Sequence, residues 1–262
     1  MLIYLAALVV LFLSSLWTVD SFTGKLVHSW TLDNYKELVT NSTYRTIALR
    51  TIGIAAAVTL TDAVLAFPFA FFAARIAPRR LSTVLFVAIL VPLWTSYLVR
   101  VYAWRLILAK DGILNWTLDK IGLGSVNVAY SNTAMWIVFS YIWLPFMITP
   151  VWAAIERVPD SLLEASSDLG ASRWRTFRSV LLPLAWPGIV AGSIFTFSLT
   201  LGDYITPTLV GGASSDFIGN VVYRNVGVAN NVPFAAAFAT VPIIVMGVYL
   251  VLARRAGATD AL

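Results

Sequence analysis

Six stretches of mainly apolar residues alternate with short polar segments along the chain. A helix that crosses a bilayer needs about 20 such residues. The pattern therefore predicts spans over 2–19, 45–74, 81–108, 133–155, 187–209 and 234–253, forming one all-α transmembrane domain over 1–262. Prolines fall inside four of them, at Pro68, Pro92, Pro145, Pro150 and Pro242. Membrane helices tolerate these where neighbouring groups re-satisfy the backbone, and they read as kinks that a moving path could use. The first span begins beside the initiator methionine, with no basic segment before it and no small-residue cleavage site before Asp20. It reads as a retained anchor rather than a signal peptide. Ser21 to Tyr44 is polar, with a short amphipathic helix at TLDNYKELV. Arg75 to Arg80 forms a basic turn, and further surface helices are expected at Leu114–Ile121 and Asp216–Arg224.

The longest hydrophilic stretch, 159–183, carries its own folding instructions. Ser161 and Glu164 have the spacing of a capping box. Gly170 suits a left-handed helix stop, and Ser172 suits the cap of a second helix. That helix places Trp174, Phe177 and Leu181 on one face, leaving Arg173, Arg175 and Arg178 in water. Two short helices bent at a glycine make either a rigid docking elbow or an amphipathic loop on the membrane surface. Beyond it, Gly188 and Gly192 have the spacing that lets helices approach closely, read here as packing within the bundle rather than a homodimer seam.

Composition narrows the chemistry. The chain is 59% hydrophobic and 12% charged, with mean hydropathy +0.82, whereas soluble domains average about 25% charged residues. It has no cysteine and one histidine, His28, which excludes disulfides and argues against zinc sites or Ser/His catalysis. No GxxxxGK[ST] sequence occurs, so the chain has no P-loop of its own. The net charge of +5 does not point to nucleic acid, because the arginines are spread over loops and helix ends. Lys and Arg counts on the two sides of the spans do not fix the orientation.

Charges inside spans cost roughly 2.5 to 3.5 kcal/mol each on insertion scales, so each is a candidate for function. Asp62 lies midway along the second span and Asp203 in the outer half of the fifth. Ser193, Thr196, Thr200, Asp203 and Thr206 recur every three or four residues, a polar stripe if the helix is continuous. The stripe faces either a water-filled path or a hydrogen-bonded packing seam. Asp62, with Thr59 one turn earlier, either joins the same cavity or is a structural acid bonded to hydroxyls. On the third span Trp94, Tyr97 and Trp104 share a face, with Arg105 at its edge and Arg100 nearby. Such rings beside carboxylates suit an organic cation; equally, Trp and Tyr, Trp116 included, gather at membrane interfaces.

The intervals in 159–183 are specific. Glu164-Ala165-Ser166, three residues, Gly170, nine residues, Val180, one residue, then Leu182-Pro183 resembles the EAA loop of binding-protein-dependent ABC importer permeases, with Ser166 for the second Ala and Val180 for Ile. Leu93–Asn115, Leu182–Gly212 with its Gly202-Asp203-Tyr204, and Asn230–Ala239 resemble spermidine/putrescine permeases, with Val232 in place of a Trp. The resemblance implies a type I, MetI-like six-helix subunit of the bacterial inner membrane, elbow and termini cytoplasmic. It implies pairing with a second permease, two cytoplasmic ATPase subunits that hold ATP and Mg, and an external solute-binding protein. This chain would then need no cofactor and do no catalysis. Glu164, Ala165, Ser166 and Gly170 would meet the ATPase, while Ser193, Thr196, Thr200, Asp203, Tyr204, Asp62, Trp94 and Tyr97 would line the path. The solute expected is a polyamine, with an opine, a phosphonate or another small solute as the alternative. An ion-coupled secondary transporter and an intramembrane aspartyl protease using Asp62 and Asp203 leave the elbow without a role.

Overall fold

A computed structural model of the chain describes residues 2–20 and 22–255. Met1, Ser21 and the tail after Arg255 lie outside the described residues. Helix α1 spans Leu2–Ser14; β1 (Thr18–Val19) pairs antiparallel with β2 (Leu26–Val27), Thr18 opposite Val27; α2 is Asp33–Thr40. Helix α3, Ser42–Phe71, runs into a π-helical turn, Phe72–Ile76, before α4 at Arg79–Leu90. A 3-10 turn at Val91–Trp94 leads to α5, Tyr97–Leu108, and α6, Ile113–Lys120. Helix α7 is Asn132–Glu156, α8 Asp160–Asp168 and α9 Arg173–Thr176. A second π-helical turn, Phe177–Leu181, joins α9 to α10, Leu182–Gly202. Then follow α11 (Ile205–Val210), α12 (Ile218–Gly227) and α13 (Val232–Arg255).

Four helical runs among the described residues are long and apolar enough to cross a membrane: Ser42–Ile76, Asn132–Glu156, Arg173–Gly202 and Val232–Arg255. A fifth crossing exists if the bent pair Arg79–Trp94 and Tyr97–Lys120 counts as one. The expected second, fourth and sixth spans are thus present, with Pro68, Pro145, Pro150 and Pro242 inside their helices.

The other three expectations need correction. The first span stops at Ser14, because the hydroxyls of Ser14 and Ser15 turn back onto Leu11 O and Phe12 O and the Asn34 amide donates to the Ser15 and Trp17 carbonyls. Thr18 and Val19 form a strand instead. The third span is broken rather than kinked: Pro92 sits in the 3-10 turn, Thr95 is extended, and the two helical arms diverge by 96°. The fifth begins earlier than Pro187, which lies inside α10, and ends at Gly202 rather than 209.

The chain divides into two compact units, one made of residues up to Ile54, Trp104–Met135 and Thr200–Gly247, the other of Ala55–Ala103, Trp136–Leu199 and Val248 onward. In the first, Leu38, Ile47, Ile218, Val221, Phe234, Ala237 and Phe238 form a core, with the Tyr44 ring 4.9 Å from that of Phe234. The Ile218 N–H donates to Thr51 Oγ1 at 3.2 Å, which gives one of the free donors at the start of α12 a partner. In the second, Ala66, Ala70 and Ala73 on α3 pack with Met147, Val151 and Ile155 on α7 and with Leu181 and Ala185. Small residues on one helix let the other come close.

Candidate functional site

The elbow is built in the second unit from local turn chemistry. Gly170 takes φ +74°, its N–H donates to Ser167 O at 2.9 Å, and the Ala171 N–H donates to Ser166 O at 3.1 Å. This is the paired bonding of a Schellman stop. Ser172 then caps α9, accepting from the Arg175 N–H. The expected capping box is absent: α8 starts at Asp160 after Pro159, so Ser161 already lies within the first turn and makes no cap bond. Proline fixes the extended entry without a donor of its own, and Asp160 supplies the negative charge that a helix start favours. One contact was not foreseen, a 2.9 Å hydrogen bond between the Ser166 and Thr176 hydroxyls that closes the angle between α8 and α9. The alanine usual at position 166 in this motif would lack it.

The elbow presents Glu164, Ala165 and Gly170 to solvent, and with them Leu162, Trp174 and Leu169, which is 88% exposed. Leu181 on the same stretch is buried, and Phe177 stacks 5.1 Å from Trp174 while meeting Phe67 edge-on at 5.3 Å. Apolar side chains held out on a rigid polar loop are a feature of docking surfaces.

The polar stripe does not survive as one helical face. Ser193, Thr196 and Thr200 lie on α10, which ends at Gly202, while Asp203 and Thr206 follow the break. In the first unit Asp203 starts α11: its carboxylate accepts from the Ile205 N–H at 2.7 Å, the Thr206 N–H at 3.2 Å and the Thr206 hydroxyl at 3.2 Å. In the second unit Ser193 accepts from the Tyr249 hydroxyl at 2.7 Å and Thr196 donates to Gly192 O. All five side chains are buried. This arrangement favours a packing seam. Asp203→Asn keeps an acceptor oxygen for α11 and is expected to leave the protein folded. Asp203→Ala removes it, at about 1 kcal/mol for a lost cap, read as a lower unfolding temperature.

Asp62 is 0% exposed and faces the Ser140 hydroxyl on α7, without a well-formed hydrogen bond to either carboxylate oxygen. Thr59 donates instead to Ala55 O. Trp94 and Tyr97 are parted by the break after the 3-10 turn and so do not share a helix face; Trp94 is 88% exposed, whereas Tyr97 stacks on Trp143 at 5.7 Å. Arg100 lies over the Tyr97 ring and Arg105 over the Tyr130 ring, at 6.0 and 5.7 Å. Both arginines are thus committed to aromatic faces. Half-exposed Tyr204 stacks on Tyr223 with centroids 5.0 Å apart, held because Asn220 donates to the Tyr204 carbonyl at 2.9 Å and to Thr208 Oγ1 at 2.7 Å. Tyr223 was missed in the sequence, where nothing local links it to residue 204. No group of three or more His, Cys, Asp or Glu side chains suited to a metal occurs among the described residues.

Residues 66–257 match the family of binding-protein-dependent transport system inner membrane components. The chain is 47% identical to the inner membrane ABC transporter permease protein YdcU of Escherichia coli (strain K12), covering all of this chain and 87% of that protein. It is 35% identical to the spermidine/putrescine transport system permease protein PotB of the same strain, covering 97% and 92%. A crystal structure of a bacterial alginate ABC transporter, in complex with alginate pentasaccharide-bound periplasmic protein, superposes with TM-score 0.68 at 19% identity, covering 85% of this chain and 81% of that one. The chain therefore belongs to the binding-protein-dependent transport system inner membrane components, the permease subunits of ABC importers.

Proposed function

We propose that this permease imports polyamines, and that it receives the energy of ATP through the 159–183 elbow. The observation that carries the substrate reading is the likeness to a spermidine/putrescine permease over nearly the whole chain. The elbow geometry supports the energy route: a glycine stop, a capped second helix and a hydroxyl clamp hold Glu164, Ala165 and Leu169 outward in one arrangement. In this reading the elbow and both termini are cytoplasmic, a second permease completes the path, two ATPase subunits bind ATP and Mg, and an external binding protein delivers the solute. ATP binding draws the elbows together and shifts the permease pair from inward- to outward-open, a population shift driven by differential binding. Of the path residues expected, Tyr204 with Tyr223 and the exposed Trp94 are those that remain available to a cation.

Uptake into proteoliposomes holding the complete transporter tests the solute. Labelled spermidine or putrescine is expected to accumulate only with ATP and binding protein present. Uptake of a different small solute alone would replace the substrate and keep the importer, a reading favoured by the greater similarity to YdcU, whose name specifies no solute. Accumulation that follows a proton or sodium gradient without ATP would overturn both.

A further inference from the structure

Arg75 lies in the π-helical turn Phe72–Ile76 that closes the Ser42–Ile76 run, and its guanidinium holds three groups at once. Nη1 donates to Asp160 Oδ1 at 2.6 Å, and Nη2 donates to Ile155 O at 2.6 Å and to Val158 O. The side chain is 14% exposed against 78% for Asp160, so the arginine is the buried member and the aspartate the outer one. Ile155 lies in the last turn of α7, where carbonyls have no partner within the helix; Val158 lies in the hinge after it; Asp160 is the first residue of α8. One planar fork thus spans both sides of the 157–159 hinge between α7 and α8.

The backbone around it points the same way. Two π-helical turns carry residues that touch this region, Phe72–Ile76 between α3 and α4, which holds Arg75, and Phe177–Leu181 between α9 and α10, and such turns are uncommon and concentrate at functional sites. Arg75 lies within the first of these turns and reaches across to the end of α7.

We infer that Arg75 is a positioning residue that transmits movement of the elbow to α3, by fixing the α7–α8 hinge. The coupling part of this rests on the reading of 159–183 as the ATPase dock; the latch itself does not. In the reconstituted transporter, Arg75→Ala lowers solute taken up per ATP hydrolysed severalfold while ATP hydrolysis persists. A residue needed only for folding would lower both together. Arg75→Lys fails to restore the ratio, because an ammonium cannot replace a three-way planar fork, and Asp160→Asn, which leaves the carbonyl bonds in place, costs less than Arg75→Ala.

A second measurement needs no partner. The chain has no cysteine, so spin labels on cysteines introduced at the exposed positions Val64 and Leu169 report the distance from α3 to the elbow. The wild-type chain gives one narrow distribution and Arg75→Ala a broad one. An unchanged distribution overturns the latch. A broadened one with an undiminished uptake-to-ATP ratio overturns the transmitting role. A wild-type complex that hydrolyses no ATP overturns the importer reading and the coupling role with it, and the distance result then decides the latch alone.

Discussion

Replacing Gly170 by valine is expected to cut uptake roughly tenfold while the protein still reaches the membrane, and replacing it by asparagine is expected to change uptake far less. A Cβ at Gly170 would meet nothing within 4 Å, so there is no clash to relieve. The penalty comes from φ +74° alone. An L-residue held there costs about 1–2 kcal/mol, and about 1.4 kcal/mol is a tenfold change in the equilibrium constant between the native turn and its alternatives. Asparagine visits this conformation readily. If both substitutions have the same effect, the turn geometry is not what the elbow needs. Quantitative uptake, normalised to the protein inserted, makes the comparison.

The second large effect concerns folding. Leucine at Gly192 is expected to prevent accumulation of a monodisperse, detergent-stable protein, and leucine at Gly188 the same. Even a Cβ at Gly188 would lie 2.5 Å from Ala154 Cβ and 2.5 Å from Pro150 O, and one at Gly192 would lie 2.7 Å from Met147 Sδ and 3.0 Å from its Cα. Two of these contacts are with backbone of α7, which cannot turn aside as a flexible side chain does. Overpacking by a methyl or two typically costs 1–3 kcal/mol, and a leucine adds more bulk at each position. Size-exclusion profiles and thermal unfolding of the purified variants read this. The same contacts assign the glycine pair to packing within the chain, so a homodimer seam is not needed to explain it.

What could be read in the sequence divides along a physical line. Gly170 and Ser172 were legible because a helix stop and a cap are local: their partners, Ser167 and Arg175, sit three residues away. The long helices were legible because apolar length is a property of one segment. The Ser166–Thr176 clamp, the Arg75 latch and the Tyr204–Tyr223 stack were not, since each joins residues whose proximity depends on how separate helices meet. The polar stripe misled for a related reason. A spacing of three and four defines a face only while the helix continues, and Gly202 ends α10 just before Asp203. Pro92 signalled a disturbance of the third span, yet its size, a 96° change of direction, came from the extended Thr95 that follows the 3-10 turn. The Ser161–Glu164 spacing imitated a capping box because Pro159 had already started the helix.

The central claim is that ATP-driven movement enters this permease through the elbow, and proximity tests it most directly. A single cysteine at Leu169, the most exposed apolar residue of the elbow, carries a short photo-activated cross-linker in the assembled transporter, with a cysteine at Trp30 as control. Cross-linking to an ATPase subunit from position 169, its yield changing when ATP binds, and none from position 30 is the result expected. An ATPase that copurifies and cross-links from position 30 but not from 169 would contradict it.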